Sequence, residues 1–207
     1  LSAFTWPPDS SSAGAVRPPA AEPLLAPATE PVLAAVLVPL FLATESREPT
    51  LVLTKRRADL RRHAGEISFP GGRMDAEDLS LSITALREAE EEIGLDRSHV
   101  RLLGELPPTS TFVTNYVIHP FVGMIPAGVA WRLSAREVDV VLELPLETVR
   151  AGRTKTSIER RGMTFETDAY VVDDHVIWGA TARIIEHLLE QLHSAGPAGE
   201  LSLSRRN

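Results

Sequence analysis

The sequence predicts an α/β fold in which a mixed β-sheet packs between helices. Strand-like apolar stretches recur at residues 32–43, 51–55, 101–105, 117–124, 139–143 and 164–172. Two amphipathic helical stretches, 79–93 and 179–194, stand at separate places among them, which puts helices on a sheet rather than beside one another. At 207 residues, with 43% hydrophobic and 24% charged content, the chain has room for one well-packed domain with tails.

Residues 1–31 hold seven of the sixteen prolines, interleaved with Ala, Ser and Glu, and are expected to form a disordered arm. They lack the basic start and continuous apolar core of a secretion signal. The domain is expected over 32–195, followed by a flexible tail at 196–207. Its first strand, 32–43, is too short to span a bilayer and is interrupted by Pro39. Residues 45–49 read as a turn. In the first helix Asp78 is the expected N-cap, and Gly94 is placed to end the last turn. At helical spacing Leu79, Ser82, Ile83, Leu86, Ala89 and Ile93 form the inward face. Glu88, Glu91 and Glu92 gather on the opposite face. A short helix is expected near Pro145. The last helix turns Ile184, Ile185, Leu188, Leu189 and Leu192 inward.

The formal net charge of −7 argues against a general nucleic-acid binder. The absence of cysteine excludes disulfides, thiolate nucleophiles and Cys-based zinc sites, and fits a reducing cytoplasm, the expected location.

Glu88, Glu91 and Glu92 are costly as a set. Like charges one turn apart each cost about 0.2–0.5 kcal/mol, and they sit at the helix end where the dipole favours cations. Arg87 can relieve Glu91 but cannot neutralise three carboxylates. A hard divalent cation can, and Mg²⁺ typically takes carboxylate oxygens, water and substrate phosphate. The alternative is a solvated acidic face, but the adjoining Pro-Gly-Gly turn and the unfavourable helix end weigh against it.

Arg87-Glu88-Ala89-Glu90-Glu91-Glu92-Ile93-Gly94-Leu95 resembles the second half of the Nudix box, Arg-Glu-U-x-Glu-Glu-x-Gly-U, at every defined position. The first half departs from the pattern: eight residues rather than seven precede Arg87, and Asp78 stands where the family carries Glu. The resemblance implies an α/β/α sandwich, a Mg²⁺ or Mn²⁺ site at Glu88, Glu91 and Glu92 with the Gly72 carbonyl, and an Arg87 that orients the glutamates. Gly71 and Gly72 equally suit a tight turn at positive φ. Within the superfamily, residues 53–72 look like the coenzyme A pyrophosphatase signature. Arg56, Arg61, Gly65 and Phe69-Pro70-Gly71-Gly72 fall in register, while Val52 replaces a Leu and Arg57 replaces a small residue. Ile177 to Arg183 is similar to the start of that branch's last helix.

Lys55, Arg56, Arg57, Arg61, Arg62 and His63 put six cations into nine residues of an acidic protein. Arg offers permanent, bidentate recognition of phosphate, so Arg56, Arg61 and Arg62 with Gly71 and Gly72 are the candidate substrate-binding set. Any single Arg here equally suits a solvated strand end. Arg57 is expected to add charge beside the substrate. The general base is either Glu137 or one of the helix glutamates, and Glu137 equally suits a helix cap or a solvated position.

The function this resemblance implies is metal-dependent hydrolysis of the diphosphate of coenzyme A or its thioesters, with Arg87, Glu91, Glu92 and Glu137 as the catalytic candidates. The products are 4′-phosphopantetheine, or its acyl form, and 3′,5′-ADP. The alternatives are a Nudix enzyme for another nucleoside diphosphate derivative such as ADP-ribose, a non-catalytic nucleotide-binding module, or a structural domain with a solvated acidic helix. The expected partner is a small diphosphate, with no nucleic acid and no membrane. A homodimer, common among relatives, is the candidate assembly.

Overall fold

The computed structural model describes residues 30–59, 65–111, 115–160 and 163–194. Residues 1–29 of the expected arm at 1–31 and the tail at 196–207 lie outside the described residues, as do Arg61, Arg62 and His63. Eight strands make the main sheet: β1 (Val32–Leu42), β2 (Pro49–Arg56), β3 (Ile67–Ser68), β4 (Gly71–Arg73), β5 (Arg101–Glu105), β6 (Thr109–Ser110), β7 (Tyr116–Met124) and β8 (Val138–Pro145). The order is β3-β2-β1-β7-β5, with β4 beside β1, β6 beside β7 and β8 beside β2. β1 runs parallel to β7, and its other pairings are antiparallel, so the sheet is mixed as expected.

The central strand β1 is apolar throughout because both of its faces are covered. Ala35, Leu37 and Phe41 point to helix α1 (Leu81–Ile93) and pack with Ala85, Ala89 and Ile93. Val38 and Leu40 point the other way, into a larger cluster with Ile184, Ile185 and Leu188 of α3 (Gly179–Ser194). The period-two alternation thus divides one strand between two cores. The short helix α2 (Leu146–Ala151) starts just after Pro145, as expected, and adds Leu146 and Val149 to the α3 side.

Pro39 does not interrupt β1. The Leu37 N–H points away from β7 and donates to the Pro70 carbonyl, and Pro39 shares that alternation. On that edge β1 pairs with β4 through Val36 and with β2 from Leu40, so the missing N–H of Pro39 falls in the gap between two partners.

A second sheet was not expected. β9 (Arg153–Arg160), β10 (Met163–Val172) and β11 (His175–Trp178) form an antiparallel three-stranded sheet. It supplies Tyr170, Val172 and Ile177 to the α3-side core. Among the described residues no helix is long and apolar enough to cross a membrane.

Candidate active site

The Gly-Gly strand and helix α1 meet across a gap too small for a side chain. Neither Gly71 nor Gly72 adopts positive φ, which corrects the tight-turn expectation. Their constraint is space. A Cβ on Gly71 would lie 2.4 Å from the Ala35 carbonyl oxygen and 2.6 Å from Val36 Cα, both backbone atoms. A Cβ on Gly72 would lie 2.5 Å from Glu88 Oε1, so the Glu88 carboxylate rests directly on the Gly72 backbone.

Helix α1 begins two residues later than expected. Ser80, not Asp78, is the N-cap, its hydroxyl accepting from the Ile83 N–H. Leu79 falls outside the helix and is 90% exposed. Gly94 ends the helix in the left-handed conformation at φ 68°, as expected, where any side chain would be strained. The buried face is also turned by about a quarter of the helix circumference from the hydrophobic stripe, so that Glu92 lies between Thr84 and Ala85 in the buried arc. Glu88, Glu91 and Glu92 therefore do not share one open face. Glu91 is exposed, Glu88 is half-buried, and the side chain of Glu92 is 6% exposed.

Released from capping, Asp78 fixes the loop ahead of α1. Its carboxylate accepts from Arg87 Nε at 3.1 Å and Nη2 at 2.9 Å, from Thr84 Oγ1 at 2.9 Å and from the Asp75 N–H at 3.0 Å. The Arg87 guanidinium holds this carboxyl well below the usual carboxylate range, and Asp78 in turn raises Arg87. Arg87 also donates to Glu88 Oε1 at 2.9 Å, to the Arg73 carbonyl at 3.2 Å and, at 3.4 Å, to Glu91. The shorter acid, one residue farther from Arg87 than the family spacing, still reaches it with both oxygens.

Glu92 is held differently. Its Oε2 accepts from the Gly71 N–H at 3.2 Å, and Oε1 lies 3.7 Å from Arg56 Nη1. Burial pushes its carboxyl up to about 8, outweighing the Gly71 bond and Arg56, with Glu88 and Glu137 adding to the rise. Burial also raises Glu88, against the pull of Arg87. Arg56 bridges to the third acid, with Nη1 3.9 Å from Glu137 Oε2. Its Nε is buried with no hydrogen-bond partner among the described residues.

The turn before β8 closes the site. The Arg132 and Ser134 N–H groups donate to the Ile93 and Glu92 carbonyls, at 3.0 and 2.8 Å, satisfying the free end of α1. The structure thus brings Arg56, Gly71, Gly72, Glu88, Glu92 and Glu137 together, leaves Glu91 at the exposed rim, and keeps Arg87 behind the glutamates. Arg57 departs from expectation: its guanidinium is occupied by Asp59 and by the Ala135 carbonyl. Asp59 and Ser134 drew no attention in the sequence, where only the Arg57-x-Asp59 spacing hints at a pair. Tyr116 is half-buried, and His119 Nδ1 lies 2.6 Å from Glu105 Oε1.

The NUDIX domain model matches residues 32–155, more than half of the chain. The chain belongs to the Nudix family. An uncharacterized Nudix hydrolase, NudL of Photorhabdus laumondii, is 40% identical over 147 residues, covering 70% of this chain and 78% of its own. The Nudix hydrolase RenU from M. smegmatis superposes with a TM-score of 0.57 at 14% identity, covering 84% of this chain and 89% of its own. The NUDIX domain of Shewanella oneidensis NrtR, solved with ADP ribose, gives 0.51 at 16% identity, covering 79% and 90%. These structures establish the α/β fold. Membership of the family carries hydrolysis of small-molecule diphosphates, in which Nudix enzymes generally use divalent ions such as Mg²⁺ or Mn²⁺.

The donor set of this Nudix domain suits a hard cation. All its side-chain donors are carboxylate oxygens, and Glu92 is a buried acid whose ion pair with Arg56, at 3.7 Å, does not offset its burial. Among the described residues no three acidic or imidazole groups already converge on one point. Glu91, the third glutamate of the expected set, is held at the rim by Arg87.

Proposed function

We propose that this Nudix hydrolase, acting through residues 32–195, cleaves the diphosphate of coenzyme A or its thioesters. Water adds across one P–O bond, giving 4′-phosphopantetheine or its acyl form and 3′,5′-ADP. The observation that carries the reading is Arg56. It belongs to the stretch that resembles the coenzyme A pyrophosphatase signature, and its guanidinium lies against Glu92 and Glu137 with a buried Nε that has no partner among the described residues. A cation so placed is poised to take a phosphate oxygen beside the glutamates.

Glu88, Glu91, Glu92 and the Gly72 carbonyl would hold Mg²⁺ or Mn²⁺, which when bound offsets diphosphate charge and lowers the pKa of an attacking water. Arg87 orients Glu88 and Glu91 from behind. Glu137, half-exposed at the mouth of the site, is the candidate to take the proton of that water. Arg56, with Arg61 and Arg62, would bind phosphate, and Gly71 holds Glu92 in place through its N–H.

The test is a substrate panel with purified protein and Mg²⁺ or Mn²⁺, comparing coenzyme A, an acyl-coenzyme A, ADP-ribose and a dinucleoside polyphosphate. Release of 3′,5′-ADP with the highest kcat/KM for a coenzyme A substrate is expected. Preference for ADP-ribose, the ligand of the NrtR domain, would reassign the substrate.

A further inference from the structure

Glu137 has little to hold it. Its side chain is 49% exposed and carries one ion-pair contact among the described residues, to Arg56 at 3.9 Å. A base must nevertheless stand within hydrogen-bond reach of the water it deprotonates. What fixes it has to act through the backbone.

That backbone is pinned on two sides. On one side the Ser134 N–H donates to the Glu92 carbonyl at 2.8 Å, tying the turn to α1. On the other, the Arg57 N–H donates to the Glu137 carbonyl at 3.1 Å. The Arg57 side chain then reaches over the same turn, Nη1 donating to the Ala135 carbonyl at 2.8 Å. Asp59 holds the remaining edge of the guanidinium, accepting from Nε at 2.9 Å and from Nη2 at 2.8 Å. The β2–β8 register shifts between Lys55 and Arg56, at the point where the pairing reaches Val138. A bulge there re-aims the adjoining side chains. We propose that Arg57, oriented by Asp59, is a positioning residue that clamps the 134–137 turn to β2 and so fixes Glu137 beside Glu92. This rests on the reading of Glu137 as the base and is independent of which diphosphate is the substrate. With its guanidinium spent on Asp59 and Ala135, Arg57 acts on the turn and not on the substrate.

The variants to compare are Arg57→Ala, Arg57→Lys, Asp59→Asn, Glu137→Gln and the double change Arg57→Ala with Glu137→Gln. Each is assayed in the full chain with Mg²⁺ on whichever panel substrate the wild type turns over best. Glu137→Gln should lower kcat by about a hundredfold or more. Arg57→Ala should lower kcat by roughly tenfold with KM nearly unchanged, because a displaced catalytic group costs rate rather than binding. The double variant should be no slower than Glu137→Gln alone. Arg57→Lys and Asp59→Asn should fall between wild type and Arg57→Ala, since Lys lacks the planar fork. Hydrogen exchange, which needs no substrate, should show amides 134–138 losing protection in Arg57→Ala while those of α1 keep theirs.

A rise in KM with kcat intact would make Arg57 a substrate contact and overturn the proposal. Multiplicative effects in the double variant would overturn it too, as would unchanged exchange at 134–138. A fully active Glu137→Gln leaves no base for Arg57 to position and defeats it outright. A switch of preferred substrate to ADP-ribose defeats the coenzyme A reading alone.

Discussion

Replacing Glu92 by Gln isolates the consequence of burying an acid in the face of a helix that packs on the sheet. Gln keeps the shape and an oxygen to accept from the Gly71 N–H, and removes only the ionisation. In the folded chain the Glu92 carboxyl titrates at about 8, against 4.5 unperturbed. The folded state therefore holds a proton that the unfolded chain releases, and stability falls as pH rises between those values. The contribution is present in full below pH 4.5, and by the time pH has passed about 8 it has cost about 5 kcal/mol. That is a large share of the stability of an ordinary domain. Urea unfolding of metal-free protein at intervals from pH 5 to 9 measures it. Because other groups titrate as well, the difference between variant and wild type is the quantity to follow. Glu92→Gln should gain on the wild type steadily across that range and be the more stable protein at pH 9. Mg²⁺ at pH 8 should then raise the midpoint of the wild type well above any effect on the variant, since only the wild type gains a counter-charge for a buried carboxylate. Parallel stability curves for the two proteins would refute the claim that Glu92 is desolvated.

The two neighbouring glycines should fail in different ways. Gly72→Ala meets the end of a flexible Glu88 side chain, so the fold should survive with a small change in Tm while turnover collapses as Glu88 is pushed aside. Gly71→Ala meets the backbone of β1 and should cost on the order of 1–3 kcal/mol or more in urea unfolding. Asp78→Asn takes the closest carboxylate from Arg87 and leaves it Glu88 and Glu91, and should destabilise by about 1.5–3 kcal/mol, with activity falling because Arg87 is no longer fixed where it braces Glu88.

Much of this architecture is legible in the sequence, for identifiable reasons. Helix α3 is found at its observed bounds because its stripe of Ile184, Ile185 and Leu188 faces a core and its other side faces water. Helix α1 misleads the same test. Hydropathy assigns Leu79 inward and Glu92 outward, yet Leu79 is exposed and Glu92 buried, because a helix that serves a polar site turns its carboxylates toward the sheet. Strand β9 goes unseen since Arg153-Thr154-Lys155-Thr156-Ser157 has no apolar alternation to read. Within the site, the local part was readable: the spacing of Gly72, Arg87, Glu88 and Glu92 lies in one short segment. The approach of Glu137 to Arg56 and Glu92 was suggested but not derivable, because it depends on β8 pairing with β2 far away in the chain. The role of Arg57 is hidden from the sequence for the same reason, its partner at Ala135 being distant in the chain.

The parallel partnership of β1 with β7 joins Val32 to Tyr116 and Leu40 to Met124. Everything from Arg56 through the Gly-Gly strand to the glutamate helix lies inside the long loop which that partnership closes. Closing so long a loop is slow because its entropy is lost before the contacts repay it. The helix glutamates are strung along a single short stretch, yet the central strand under their helix gains its parallel neighbour only when β7 arrives from the far side of the chain.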